Sequence, residues 1–179
     1  MLSQKNTMKK SFLLLAAIGL FVVSSCKSYE PETYGPIEFE SSFEGPLFGE
    51  MVVDALVELD FKPEDYGINR DEIHSMILQE IRISTDYENG FGDFDNILFS
   101  IMADGVQSEK VATVKIEGSP KELVIPGLNE SEIKKFKHVQ KFHLEITAVT
   151  KPDLEDVYED IDIQGSFTMN IMVPQKKKK

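Results

Sequence analysis

The residues best suited to chemistry are acidic side chains in a glycine-containing segment near the middle of the chain. Its four carboxylates belong to Asp86, Glu88, Asp93 and Asp95. Because Ca²⁺ takes six to eight oxygen ligands, these four residues are candidates for a calcium site. Gly90, however, falls where the loop of an EF-hand needs a side-chain ligand. We therefore interpret the segment as a solvated loop.

A second acidic segment precedes the last apolar stretch of the chain. It contains Asp153, Glu155, Asp156, Glu159, Asp160 and Asp162. Two carboxylates roughly 5–10 Å apart would suffice for glycoside hydrolysis. The sequence has no Trp, however, and none of the aromatic clusters typical of a sugar-binding cleft. We predict that this segment is a charged connection before an edge strand, where charge opposes pairing with other chains.

Other patterns that carry chemistry are missing from the sequence. The three histidines, His74, His138 and His143, do not have the spacing of metal ligands. The Gly-x-Gly at positions 90–92 lacks a third glycine and does not open a clear helix, and no serine lies in a Gly-x-Ser-x-Gly setting. We therefore predict no catalytic residue, no metal and no cofactor. The net charge of −12 argues against nucleic acid as a partner.

Strands dominate the hydrophobic pattern that must position these side chains. From Ile161 to Val173 apolar and polar residues alternate, with Gly165 as a bend or bulge. Similar alternation covers Phe142–Ala148 and Val53–Phe61. Asp104-Gly105 predicts a hairpin turn, although a wider connection would also fit. The shorter candidate strands are Ile37–Phe39, Glu80–Tyr87, Ile97–Ala103, Val111–Glu117 and Leu123–Ile125.

Helical signals are few. Asn69 is a candidate cap for a helix over Arg70–Gln79, and a second short helix is predicted from Asn129 or Ser131 to His138. We therefore predict a mainly β fold, an antiparallel β-sandwich of the immunoglobulin-like or jelly-roll-like type, with one or two short helices. The alternative is a small α+β fold with the first helix packed on one sheet.

The beginning of the chain has a targeting pattern. Lys9 and Lys10 precede an apolar run, Phe12–Val23, that is too short to cross a bilayer. The run leads into Val23-Ser24-Ser25-Cys26, which contains the one cysteine of the chain and resembles the lipobox of bacterial lipoproteins. The resemblance implies cleavage before Cys26, diacylglycerol on its sulfur and an acyl chain on its amine. An ordinary secretory signal with a chance cysteine is the alternative.

The residues after Cys26 predict where the anchored protein lies. Enteric lipoproteins with Asp at the next position stay at the inner membrane, so the resemblance and Lys27 together imply the outer membrane, with the periplasmic or surface side left open. Residues 26–36 are predicted to be the lipidated N-terminus and a flexible tether. Removing residues 1–25 changes the net charge from −12 to −15, which favours a domain that stands away from anionic lipid.

These patterns divide the chain into four parts: a signal peptide (1–25), the tether (26–36), one β-sandwich domain (37–174) and a disordered basic tail (175–179). The domain resembles no characterised family. We expect a non-enzymatic, lipid-anchored cell-envelope protein that touches the membrane through its lipid and binds or scaffolds another envelope component. The alternative is a lipid-tethered carbohydrate- or calcium-binding module, or a hydrolase, that uses the acidic loop residues.

Overall fold

Two antiparallel four-stranded sheets face each other in the computed structural model, which describes residues 28–128 and 133–175. The predicted β-sandwich is therefore confirmed. The signal peptide, Cys26 and Lys176–Lys179 lie outside the described residues, so the interpretations of these segments remain predictions. None of the helices in the described ranges has the length and apolar character of a membrane span.

The eight strands follow one another in an order typical of a jelly roll. The first sheet has the order β1-β8-β3-β6 and the second has the order β2-β7-β4-β5. Strands 1 and 8, 2 and 7, 3 and 6, and 4 and 5 are thus neighbours, as in one long hairpin rolled into two layers. The strands are β1 (Tyr29–Phe43), β2 (Val52–Asp60), β3 (Ser75–Ser84), β4 (Phe94–Ala103), β5 (Val106–Lys115), β6 (Glu122–Pro126), β7 (Lys141–Thr150) and β8 (Ile161–Pro174).

The core lies between the sheets and is built by the alternation that the sequence predicts. Every second residue of β8 and of β2 is buried, apart from Gly165, which is half-buried. Leu56, which interrupts the polar face of β2, is 57% exposed and lies outside the core. Aromatic pairs join the two layers: the ring centroids of Phe142 and Phe167 lie 5.8 Å apart. Such pairs add about 0.5–1.5 kcal/mol beyond the burial of their apolar area.

The last strand does not lie at an edge, contrary to the prediction. β8 lies between β1 and β3, and the edges of the two sheets are β1, β6, β2 and β5. The acidic segment before β8 connects the second sheet to the first, so its charge is on a loop between layers. Periodicity identified the strand correctly but contains no information about its neighbours.

The predicted tether is largely part of the sandwich. β1 begins at Tyr29 and not at Ile37, and pairs with β8 from Tyr29↔Pro174 onwards. Its prolines and Gly35 suggested a linker. Because β1 is an edge strand, an absent proline N–H costs no ladder bond on its free side. The register shift between Tyr34 and Ile37 accommodates Gly35 and Pro36, which interrupt the regular pairing with β8.

Neither predicted helix forms an α-helix. The first is a 3-10 turn at Arg70–Glu72, capped by the Asn69 side chain as expected, and the chain then enters β3 at Ser75. Burial alternates along β3, with Met76 and Leu78 buried and Ile77 between them exposed, so the pattern has the period of a strand. The second is a 3-10 turn at Ile133–Phe136, and positions 129–132 lie outside the described residues. The Asp104-Gly105 turn is a tight hairpin that joins β4 directly to β5.

The strands give the sandwich two distinct ends. β1 begins and β8 finishes at one end, which we call the anchor end because Cys26 precedes β1 in the sequence. The opposite end, the far end, is formed by loops 44–51, 85–93, 116–121 and 151–160. Both acidic segments singled out above therefore lie mainly at the far end, even though they are distant in the sequence.

Candidate functional site

The first candidate site is a hydrogen-bonded cluster around Asp93 at the far end. Asp93 is only 8% exposed. The hydroxyl of Tyr87 donates to Asp93 Oδ2 at 2.9 Å, and the side-chain amide of Asn89 donates to Asp93 Oδ1. Ser119 Oγ donates to Asn89 Oδ1 at 2.8 Å, and the Lys151 amide donates to the Asp93 carbonyl at 2.9 Å. The cluster therefore joins three of the four loops of this end.

The four calcium candidates are not brought together as ligands. Asp86 and Glu88 are exposed, both oxygens of Asp93 already accept hydrogen bonds, and Asp95 lies on β4. Within the described ranges no group of three or more His, Cys, Asp or Glu side chains has the arrangement of a metal site. Asp93 acts here as an acceptor that stabilises the loops.

Tyr87 is the most strongly perturbed group in this cluster. Burial, followed by its hydrogen bond to the Asp93 carboxylate, raises the pKa of the Tyr87 phenol from about 10 to about 12. Tyr87 also lines a cleft of about 520 Å³ together with Lys151 and Asp156. A phenol that holds its proton so firmly is a hydrogen-bond donor and a poor base or nucleophile at neutral pH.

The raised pKa of Tyr87 predicts that the free energy of unfolding depends on pH at alkaline values. Between pH 10 and pH 12 the unfolded chain loses the Tyr87 proton while the folded chain keeps it, so the free energy of unfolding should fall as the pH rises. Tyr87→Phe should remove part of that fall. Urea denaturation of both proteins at pH 9 and pH 11 measures the difference. An identical fall in the two proteins would contradict a structural role for the phenol.

The second candidate site is a groove of about 740 Å³ on the outer face of the first sheet. One row of side chains runs across three strands from Glu38 through Ser166 to Arg82, and the next runs from Glu40 through Gln164 to Ser84. β6 adds Glu122 and the exposed Val124. The groove thus combines three carboxylates with one guanidinium, several neutral hydrogen-bonding groups and one apolar side chain.

The groove can contact a ligand because some of its carboxylates have no partner within the described residues. The side-chain carboxylates of Glu38 and Glu40 have no hydrogen bond or ion pair among the described residues. Arg82 forms an exposed ion pair with Glu80, 2.7 Å from Nε to Oε1, which raises the pKa of the Arg82 guanidinium. Such exposed pairs are worth little and break readily. The surface can bind a ligand that offers cationic or amide donors to its carboxylates.

Gly165 positions the floor of the groove. It lies opposite Phe39 on β1 and Ile83 on β3. A Cβ at this position would lie 2.3 Å from Phe39 Cζ on the core side, so the ring of Phe39 occupies the space that the missing side chain leaves. Gln164 and Ser166 on either side then point outward into the groove.

The histidines are separated in space as well as in sequence. His74 stacks on Tyr29, with ring centroids 4.0 Å apart, and therefore lies at the anchor end outside any helix. His143 Nε2 lies 3.7 Å from Glu58 Oε2 on the outer face of the second sheet, and His138 is exposed. The three histidines therefore lie at three separate places in the described structure.

The comparisons with known proteins add no functional assignment. No protein-family model and no curated protein sequence matches the chain. The fold alone does not indicate a function, because one architecture hosts many activities.

Proposed function

We propose that this protein is a non-enzymatic, lipid-anchored component of the bacterial cell envelope whose groove binds another envelope component. The single observation that supports binding is the groove itself, where Glu38 and Glu40 have no partner within the described residues. The lipobox Val23-Ser24-Ser25-Cys26 supports the anchor, and Lys27 favours the outer membrane. Two or more acyl chains on Cys26 would make the attachment stable.

The groove favours a partner with positive charge and hydrogen-bond donors. Glu38, Glu40 and Glu122 lie within two register rows of the same sheet, and neighbouring strands are about 4.8 Å apart. A lysine- or arginine-bearing segment can therefore meet more than one carboxylate at once, and charge-assisted hydrogen bonds are stronger than neutral ones. Exposed Val124 adds an apolar contact at the rim.

Site-directed photocrosslinking tests the groove. A photoreactive residue at Ser166 should yield a discrete crosslinked product in native envelopes, whereas one at His138, which is exposed in the connection before β7, should not. The double substitution Glu38→Gln and Glu40→Gln should reduce the Ser166 product at least tenfold, because two charge-assisted contacts are lost. Equal products from both positions, or no effect of the double substitution, would exclude the groove as the binding surface.

Mass spectrometry tests the anchor. The protein purified from its native membranes should begin at Cys26 and carry the mass of a diacylglyceryl group, with a further acyl chain on the amine. Cys26→Ala should move the protein from the membrane fraction to the aqueous fraction, since no other acylation site of this type is available. A free, unmodified Cys26 thiol in the native protein would defeat the proposal.

A further inference from the structure

The outer face of the second sheet exposes apolar side chains to solvent. Val52 and Leu56 on β2 are 61% and 57% exposed. The register places Val149 of β7 beside Val52, and Leu98 of β4 lies one row further along, both half-buried. The outward face of an antiparallel sheet is usually polar, and an exposed apolar surface rimmed by charge is typical of a protein–protein contact.

Opposite charges lie on the two sides of this face. Asp54 on β2 and Glu145 on β7 carry carboxylates on one side. Lys110 and Lys115 carry ammonium groups on β5, which is the opposite edge of the sheet. None of these four side chains has a hydrogen bond or an ion pair among the described residues. Each half of the face therefore offers charge to a molecule that covers it.

The face is close to electrical neutrality, unlike the protein as a whole. Its other carboxylates on β2 already form ion pairs, Glu58 with Lys141 and Asp60 with Lys62. Two unpaired carboxylates and two unpaired lysines remain. The chain carries a net charge of −12, and the groove of the first sheet has three carboxylates against one guanidinium. Like charge therefore opposes the approach of a second copy through the groove, but not through this face.

A two-fold axis parallel to the strands matches the face to itself. Because the strand order is β2-β7-β4-β5, such an axis places β2 of one copy opposite β5 of the other, and β7 opposite β4. Asp54 of each copy then lies between the register rows of Lys110 and Lys115 of the other copy. Leu98 lies opposite Thr147, at the middle of the contact.

We infer that the outer face of the second sheet binds the same face of a second copy, in a two-fold symmetric dimer. Four strands about 4.8 Å apart and about eight residues long give an outline of roughly 500 Å² per copy. The pair buries about 1,000 Å², the lower limit for a specific interface, so the dimer is weak.

The proposed axis has two consequences for the assembly. It keeps the anchor ends of both copies on the same side, so the dimer is compatible with the proposed lipid anchor without depending on it. The groove lies on the first sheet and faces away from the contact. The dimer therefore presents two grooves, and a partner with two suitable segments would bind more tightly to the pair than to one copy.

Photocrosslinking in intact cells tests the dimer. A photoreactive residue at Thr147, on β7 near the proposed axis, should yield a product with the mass of two copies. The same residue at His138, exposed in the connection before β7, should not. A Thr147 product that contains a different protein, or the absence of any product, overturns the inference.

Charge reversal supplies a matched pair of variants. The acidic variant is Lys110→Glu with Lys115→Glu, and the basic variant is Asp54→Lys with Glu145→Lys. Each alone should reduce the two-copy product at least tenfold, because the facing charges become alike. Co-expression should restore a product with one copy of each, because the facing charges are opposite again, and this recovery shows that both variants fold. An unchanged product from either variant alone, or no recovery on co-expression, contradicts the inference.

Discussion

Replacing Arg70 with Met should lower the free energy of unfolding by about 3 kcal/mol, since a hydrogen bond from a charged donor contributes about 1.5–3 kcal/mol. The Arg70 side chain is only 19% exposed. Its guanidinium donates to the Phe61 carbonyl at 2.7 Å and to the carbonyls of Val139 and Lys137, and lies 5.1 Å from the centre of the Phe61 ring. One side chain thus joins the segment after β2 to the segment before β7.

Arg82, the other arginine of the chain, provides the matched control. Its side chain is 60% exposed and contacts Glu80, so Arg82→Met should change stability by less than about 0.5 kcal/mol. Arg70→Lys should recover less than half of the lost stability, because an ammonium group cannot reproduce the planar set of donors of a guanidinium group. Urea denaturation followed by circular dichroism measures all three variants. Losses for Arg70→Met and Arg82→Met that agree within error would show that the Arg70 contacts contribute little.

Gly165→Val should also cost about 3 kcal/mol, at the upper end for an overpacked core. The new Cβ would lie 2.3 Å from Phe39 Cζ and 2.9 Å from the Arg82 carbonyl. Phe39 is buried, and the Arg82 carbonyl belongs to the neighbouring strand. To remove this clash, either the Phe39 ring must leave the core or the central strands β3 and β8 must separate.

A second substitution shows whether the added side chain clashes mainly with the Phe39 ring or with the Arg82 carbonyl. Phe39→Leu shortens the side chain that a Cβ at Gly165 would meet, so the double variant should be at least 1 kcal/mol more stable than the sum of the single effects predicts. Ser166→Val, one position along and facing the groove, should stay within about 0.5 kcal/mol of the parent. Strict additivity of the two core substitutions in denaturant melts would contradict the proposed packing of Phe39 over Gly165.

The sequence predicted most strands because period-2 alternation is a local property. The β8 pattern from Ile161 to Val173 and the alternation of β2 both correspond to strands in the structure. Alternation failed where turn residues interrupted it: Gly35 and the neighbouring prolines concealed the start of β1. It also failed where a cap signal outweighed it, as at Asn69, because the predicted helix over Arg70–Gln79 covers the first half of β3, while the second half agrees with the strand predicted from Glu80.

The groove could not be predicted because it depends on strand order. Glu38, Gln164, Arg82 and Glu122 come from four strands, and only the register brings them to one face. Alternation indicated which of these side chains point outward but not which strands are neighbours. Asp93 was found as a candidate ligand because acidic residues cluster around it in sequence. Its partners Ser119 and Lys151 come from other loops, and this arrangement is what makes it structural.

The pairing of β1 with β8 also determines how the protein carries load. In the proposed lipid-anchored form, a pull between the membrane and a partner beyond the far end would act along β1, since Tyr29 lies at the anchor end and Phe43 at the other. Antiparallel hydrogen bonds run perpendicular to the strands, so this force shears the whole ladder at once instead of opening it one bond at a time. In that form β1, the strand next to the proposed lipid, would be the one best placed to resist extraction, and its long register with β8 would make it a mechanical link as well as a sheet edge.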